Sequence, residues 1–422
     1  MSFKEDLPRR FNFYTESFVK FLILPVLNYQ IIINTFFISL KPILMSPFPK
    51  SKSIKHFKSS VFLLCCASCV LTSDKVLAQD SFKGLESLFT TPRQYTASFT
   101  TNKPLVDGDI NESVWSNIPW TDEFTDIEGD KQIAPALNTR CKMIWDKDYL
   151  YIAAEIKEPH VWAYLKKHDE VVYNDNDFEI FIDPNHTTHK YFEIEVNAIN
   201  TIFDLFLPKP YRNNTGPLIS WDTPGMLHAV KVQGTLNDPS DKDKGWTVEI
   251  AVPYAALSLE DLPKIPVTGD VWRINFSRVE WDTEVAKGKY IRKKNADGKN
   301  LPEHNWVWSP QGVINMHFPE RWGYLKFGDA EVGKQTAFEM PYPEHQRKYL
   351  WLVYYRQKEF MEKDGRYAGS LEELNIPAKF ELEGKKNILE LEAGNHQFYL
   401  SLKADQQQTL TINEDGLVQT IK

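Results

Sequence analysis

The sequence predicts a mainly β fold: a β-sandwich over residues 95–328, followed by a small C-terminal α+β appendage over 335–422. Three observations predict it. Short runs alternate between apolar and polar side chains, which is the period of a half-buried strand. Turn signals built from Gly, Pro, Asn and Asp recur between these runs at roughly the 8–12-residue spacing of sandwiches. No segment from about 95 to 328 keeps a helical period of any length.

The elements follow in order along the chain. "CKMIWDKDYLYIAAEI" (141–156) reads as two short strands around an Asp-Lys-Asp turn, the second alternating Leu150, Ile152, Ala154 and Ile156. "NDNDFEIFIDPNHTTHKYFEIEVN" (174–197) reads as a hairpin of strands 178–183 and 191–197. Its apolar face carries Phe178, Ile180, Ile182, Phe192, Ile194 and Val196. Its other face carries Glu179, Phe181, Asp183, Tyr191, Glu193, Glu195 and Asn197. "GWTVEIAVPYAAL" (245–257) puts Trp246, Val248, Ile250 and Val252 on one face, and Pro253 ends the strand or marks an edge. "DVWRINFSRVEW" (270–281) sets Trp272, Ile274 and Phe276 against Val271, Arg273, Asn275 and Ser277, and "RWGYLKF" (321–327) is a last strand. The loops 208–217, 237–244 and 295–305 are long and rich in Pro, Asn and Asp; loops of this kind on a rigid sandwich are where binding sits. Beyond 335, residues 343–365 place Tyr349, Leu352, Val353, Arg356 and Phe360 near helical spacing, with Gly365 as the stop. "SLEEL" (370–374) reads as a short capped turn of helix, and 378–421 as several β-segments with turns at Gly384, Gly394 and "NEDG".

The N-terminal region reads as targeting sequence. Residues 19–40 are apolar but interrupted by Lys20, Pro25, Asn28, Gln30 and Asn34, which makes a poor membrane span. After Met45 come Lys50, Lys52, Lys55 and Lys58, an apolar run from Val61 to Leu71, and a Val-Leu-Ala exit at 76–78. This is the layout of a secretory signal peptide. The expectation is therefore an upstream extension (1–44), a signal peptide (45–78), a linker (79–94), and an exported mature chain without a transmembrane span, in the periplasm, at the cell surface or outside the cell. Cys65, Cys66 and Cys69 lie in the apolar run, so cleavage leaves Cys141 alone, with no internal disulfide and no cysteine metal site. A lipid anchor at Cys69 is the alternative. The whole chain has 49 Lys+Arg and 57 Asp+Glu, net −8. Residues 1–78 hold 10 and 4 of these, so the mature chain keeps 39 and 53, net −14. Such a protein has no electrostatic reason to bind nucleic acid or an anionic membrane, and a neutral or cationic partner is expected.

The acidic face of the 178–197 hairpin carries no cation, and like charges on neighbouring strands repel. Solvent, sugar hydroxyls, a metal ion, or Lys/Arg from another element would each account for it. A glycosidase carboxylate pair is a further reading, since Glu193 and Glu195 stand roughly 7 Å apart at Cα on one strand. Oxygen-rich loops at 107–111, 173–177 and 238–245 offer calcium ligands, with Asp107 and Asp109 the candidates for a structural Ca²⁺. His186 and His189 flank a turn as a metal pair would, although lone loop histidines are more often merely exposed. There is no Gly-x-Ser-x-Gly, phosphate loop or His-Glu-x-x-His.

Five blocks fall in order: "KPLVDGDINESVWSNIPW" (103–120), "IWDKDYLYIAAEIKEPHVW" (144–162), "DNDFEIFIDPN" (175–185), "GWTVEIAVPYAAL" and "RWGYLKF". Together they resemble family 9 carbohydrate-binding modules and their exported relatives over roughly residues 96–328. The resemblance implies a DOMON-like, jelly-roll-type sandwich that binds a poly- or oligosaccharide, often within plant-polysaccharide breakdown, and holds structural calcium. It implies that Tyr173 stacks on a sugar ring and that Glu179 hydrogen-bonds sugar hydroxyls. It also puts Glu195 where binding members carry an Arg, and Met316 where they carry a second stacking Trp, with Trp306, Trp308 or His317 as possible replacements. By alternation Glu193 and Asn197 share the face of Glu179. Tyr211, Arg212 and Trp221 stand in loops, and Arg212 is placed to neutralise Glu193 or Glu195. The sequence thus points to non-catalytic carbohydrate binding, with a glycoside hydrolase as the alternative. A haem-binding redox domain using Met316 and His317 is a distant third.

Overall fold

The computed structural model describes residues 81–258, 265–329 and 338–421. The expected upstream extension, the signal peptide and Cys69 lie outside these residues. Fourteen short strands of the described chain precede residue 330: β1 (Gln94–Phe99), β2 (Thr125–Asp126), β3 (Thr139–Trp145), β4 (Tyr149–Ile156), β5 (Asp177–Asp183), β6 (Tyr191–Asn197), β7 (Ile202–Leu207), β8 (Leu227–Gln233), β9 (Gly245–Pro253), β10 (Val271–Glu280), β11 (Thr283–Ala286), β12 (Lys289–Arg292), β13 (His304–Val307) and β14 (Gly323–Gly328).

Ten of them form two leaves, with β13 pairing β10 and β2 beside them and β11–β12 a separate two-stranded sheet. One runs β7-β6-β5-β10-β14 and the other β1-β3-β4-β9-β8. Strand β1 joins them by pairing in parallel with β14 through Gln94–Ser98 and with β3 through Ser98 and Phe99. The neighbours within each leaf beyond that strand are antiparallel. Alternation decides which side of each strand faces inward. Phe178, Ile180 and Ile182 of β5, Phe192, Ile194 and Val196 of β6, and Trp272, Ile274 and Phe276 of β10 meet Met143, Ile152, Trp246, Val248, Ile250 and Val252 from the other leaf in one buried core. The sequence placed each of these residues except Met143 on its apolar face. Pro253 does end β9, where a missing N–H cannot break a ladder. Gly245 opens β9 at φ 131°, and a Cβ there would sit 2.0 Å from the Ile156 carbonyl oxygen, so close approach of the two backbones requires glycine.

After the sandwich come α1 (Tyr342–Asp364) and a five-stranded antiparallel meander: β15 (Lys379–Leu382), β16 (Lys385–Ala393), β17 (Phe398–Ala404), β18 (Thr409–Asn413) and β19 (Val418–Ile421). Gly365 ends α1 in the left-handed region, and its N–H bonds the Met361 carbonyl. Residues 371–375 form a turn rather than the expected helical turn. Leu350 through Tyr355 are all buried, a wider face than an amphipathic stripe. One side packs on Leu389, Leu400, Leu402, Leu410 and Ile412 of the meander. From the other side Tyr355 donates to Glu320 (2.7 Å), and Phe82 and Phe89 meet Tyr349 and Tyr355 edge-on. Residues 81–89, part of the stretch read as a linker, thus lie against this helix. Glu344 of α1 reaches His186 of the β5–β6 turn, Arg273 of β10 and Tyr324 of β14, which joins the C-terminal part to the sandwich.

Candidate functional site

The site is built on the outward face of β5 and β6. The register puts Asp177 opposite Asn197, Glu179 opposite Glu195, and Phe181 opposite Glu193. Carboxylate oxygens of Asp177, Glu179 and Glu195 all lie within 4.8 Å of one another. Asp177 is among the acids that the alternation puts on the polar faces of this hairpin, and the strand begins at it, one residue before the expected start at Phe178. Across β5 from Glu195, Ser277 of β10 stands beside Glu179. Its buried Oγ has no hydrogen-bond partner among the described residues.

This face is not the wet side of a sheet. Glu179 is 0% exposed and Glu193 and Glu195 are each 1% exposed. The cover is visible in the packing. Phe203 and Leu205 of β7 stand opposite Glu195 and Glu193, and they cluster with Phe181, Tyr191, Val172, Val307, Met316 and Trp322. Segments distant in sequence supply most of this layer. Two like charges at about 5 Å repel by roughly 3 kcal/mol at an effective dielectric of 20. Three crowded carboxylates therefore favour a ligand that brings hydrogen-bond donors or positive charge, and disfavour an anionic one.

Tyr173 sits at the edge of this cluster in a single turn of 3₁₀-helix, Val172–Asn174. Its N–H donates to Glu195 Oε2 (2.9 Å) and its carbonyl accepts from Trp281 Nε1 (2.8 Å). The ring is partly exposed and packs with Trp162, Trp281 and Tyr290. Arg292 donates to the side chain of the adjacent Asn174 (2.9 Å) and lies over Trp281. Met316 and His317 also reach this face. Met316 contacts the Phe181–Tyr191 cluster. His317 Nδ1 is 2.9 Å from the Tyr191 hydroxyl, and its Nε2 is 3.9 Å from Glu193 Oε2.

Four residues expected at the site do other work. Asn197 is on the right face, but its amide donates to the Leu165 carbonyl and Asp175, and its oxygen accepts from Ile199 and Thr201 N–H. It fixes the turn after β6. Asp175 beside it has its carboxyl pushed up by burial, which the N–H groups of Leu165 and Tyr164 and the Asn197 amide partly offset. Trp308 belongs to the inner core with Phe276 and Trp306, on the opposite side of the sheet from Glu179. The reason is alternation, since Val307 stands opposite Ser277 on the acidic face. Trp221 is partly buried against Phe192 at the edge of that same inner core. Arg212 does not neutralise Glu193 or Glu195. It forks onto Glu320 at 2.8 and 3.1 Å, under Phe318, Trp351 and Tyr354, because the loop after β7 leads it to the C-terminal helix.

The histidines of the hairpin turn are not a pair either. His186 joins Glu344 and the Val271 carbonyl, while His189 is buried beside Thr188 and its ring pKa is lowered to about 4, by burial first and then by Arg212. The residues proposed for calcium have other partners. Asp109 accepts from the Asn111 backbone and side chain and from Lys231 Nζ at 2.7 Å. These contacts, Lys231 first, hold its carboxyl at about 2. At Asp109 an ammonium thus supplies the positive charge, and Asp107 Oδ1 accepts from the Asp109 N–H (2.8 Å).

Residues 106–306 match the family described as carbohydrate family 9 binding domain-like. Among solved structures the chain is similar to a carbohydrate binding module family 9 from Caldicellulosiruptor kristjanssonii in complex with cellotriose, at 16% identity, 59% of this chain, 100% of that one and a TM-score of 0.36. It is similar to a putative carbohydrate-binding protein from Bacteroides uniformis at 16% identity, 56% of this chain, 100% of that one and a TM-score of 0.42. A family 9 module from the same Caldicellulosiruptor species in complex with glucose gives 16%, 58%, 100% and 0.34. No curated protein matches the chain.

Proposed function

We propose that the domain at residues 106–306, a member of the carbohydrate family 9 binding domain-like family, binds a poly- or oligosaccharide without cleaving it, on the side of the sheet bearing Tyr173 and Glu179. The observation that carries this reading is the cluster of Asp177, Glu179 and Glu195 with Tyr173 tied to its edge through Glu195. Sugars present C–H faces that pack on aromatic rings and hydroxyls that donate to carboxylates. Tyr173 offers the first on its partly exposed ring; Glu179, buried beneath the neighbouring side chains, offers the second to a hydroxyl that displaces them. Glu195 stands where the resemblance expected an Arg, so a donor-only position has become an acceptor-only one. The ligand this favours is a neutral or amino sugar, since the acidic groups of a uronic acid would be repelled.

We further infer that the chain is exported by the signal-peptide-like segment at 45–78 and serves polysaccharide recognition or breakdown outside the cytoplasm. No described helix is long and apolar enough to cross a membrane.

A glycan array carrying neutral, amino and uronic glycans, probed with the full chain, tests the proposal. The expected result is binding of neutral or amino glycans, weakened by Tyr173→Ala and by Glu179→Gln. Absence of binding to any glycan would overturn the reading, as would unchanged binding by both variants. Release of reducing sugar that Glu179→Gln abolishes would replace it with a hydrolase.

A further inference from the structure

A second cluster lies at the outer edge of the same leaf and belongs to no part of the sugar reading. His168 and Asp169 stand in the turn 167–170, Asp204 is on β7, and Asp222 follows Trp221 in the next loop. His168 Nε2 lies 2.9 Å from Asp222 Oδ1, 3.5 Å from Asp169 Oδ1 and 3.6 Å from Asp204 Oδ1. The four ligand atoms are all within 4.8 Å of one another. A tetrahedral ion bound at 2.0–2.1 Å has ligand-to-ligand edges of about 3.4 Å; the distances to Asp169 and Asp204 are close to that edge, and the one to Asp222 is a hydrogen bond that an ion would replace.

The surroundings orient these groups. Asp204 is 1% exposed. Its Oδ2 accepts from both the N–H and the hydroxyl of Thr223, each at 2.6 Å. Its Oδ1 accepts no hydrogen bond among the described residues and faces His168. Asp169 Oδ1 is likewise buried without a hydrogen bond. The turn that presents His168 is fixed by the Asp169 N–H on the Ile202 carbonyl and by the N–H groups of Lys166 and Lys167 on Glu170. Asp169 itself holds the left-handed φ of 64°. The side chains of His168 and Asp222 are 52% and 65% exposed, which leaves a hydrated ion a path in.

We propose that His168, Asp169, Asp204 and Asp222 form a binding site for one divalent transition-metal ion of the zinc class, pinning the 218–223 loop to the edge of the sandwich. An imidazole nitrogen among carboxylates selects zinc over calcium and magnesium, which take oxygen ligands. The proposal is independent of the sugar-binding reading.

The test is calorimetric titration of the full, chelator-treated chain with zinc chloride, then with calcium chloride, alongside thermal melts. The expected result is about one zinc ion per chain at this site, a zinc-dependent rise in melting temperature, and at least a tenfold loss of zinc affinity in His168→Gln and in Asp222→Asn. Both variants should keep the circular dichroism spectrum of the metal-free wild type. Failure to bind zinc would overturn the proposal. So would equal zinc binding in the wild type and both variants, or calcium binding of the same strength that survives His168→Gln. In those cases His168 is a protonated counter-ion to three acids and nothing more.

Discussion

Replacing Glu344 by Gln should lower the melting temperature at neutral pH by roughly 6–10 °C. Glu344 is buried where α1 meets the sandwich. Its Oε1 lies 3.2 Å from His186 Nδ1 and 3.0 Å from Arg347 Nε, and its Oε2 lies 3.4 Å from Arg273 Nη2 and 3.0 Å from the Tyr324 hydroxyl. Glutamine keeps the shape and removes the charge, so Arg273 and Arg347 remain buried without their carboxylate. Removing one partner of a buried pair costs about 3–5 kcal/mol. A chain of this size loses about 2 °C per kcal/mol. The pH dependence is part of the test. Burial alone would raise the Glu344 carboxyl, but Arg347, His186 and Arg273 outweigh it and hold it well below the usual value of 4.5. A depressed carboxyl contributes stability that is fully present above its unfolded pKa and lost as pH falls through its folded one. Melts followed by circular dichroism from pH 7 to pH 3 should therefore show the gap between wild type and variant narrowing below about pH 4.5. An unchanged melting temperature at pH 7, or a gap that does not vary with pH, would refute the reasoning.

Three further outcomes are expected. Arg212→Met should destabilise the chain by about 3 kcal/mol, because it strands the buried Glu320; adding Glu320→Leu should recover much of the loss, and a denaturant-based double-mutant cycle measures both. The His189 ring should titrate near 4 rather than 6.5 in an NMR pH series. Because that pKa is lowered, its contribution to stability is complete above about 6.5 and lost as pH falls through about 4, and a titration near 6.5 would show that the ring is not buried as described. Gly245→Ala should cost several kcal/mol or abolish soluble expression, since its methyl would meet the Ile156 carbonyl oxygen at 2.0 Å; a wild-type melting temperature would contradict the close approach.

Period-2 alternation made the inner face legible because it is a local property: Phe178, Ile180 and Ile182 had to share a side wherever the strand lay. The same rule put Glu179, Glu193 and Glu195 together. What it could not supply was the second layer, since Phe203, Val307, Met316 and Trp322 reach that face from segments well separated along the chain. Arg212 shows the same limit, because its partner Glu320 is 108 residues away. Trp308 was misplaced for a local reason: "WVWS" alternates, so Trp306 and Trp308 share the core side and Val307 takes the acidic one. The His168 cluster gave no sequence signal, since three separate segments supply its members and no spacing rule links them.

The most direct measurement is the affinity of the Glu179→Gln chain for the glycan that the wild type binds best, taken together with its circular dichroism spectrum. Losing a charge-assisted hydrogen bond should weaken binding by roughly 10- to 100-fold. The variant should keep the circular dichroism spectrum of the wild type, so that the loss is read as a loss of binding and not of folding. Weaker binding by a chain that remains folded is the predicted result. Wild-type affinity in that variant would contradict the assignment of this face as the sugar site.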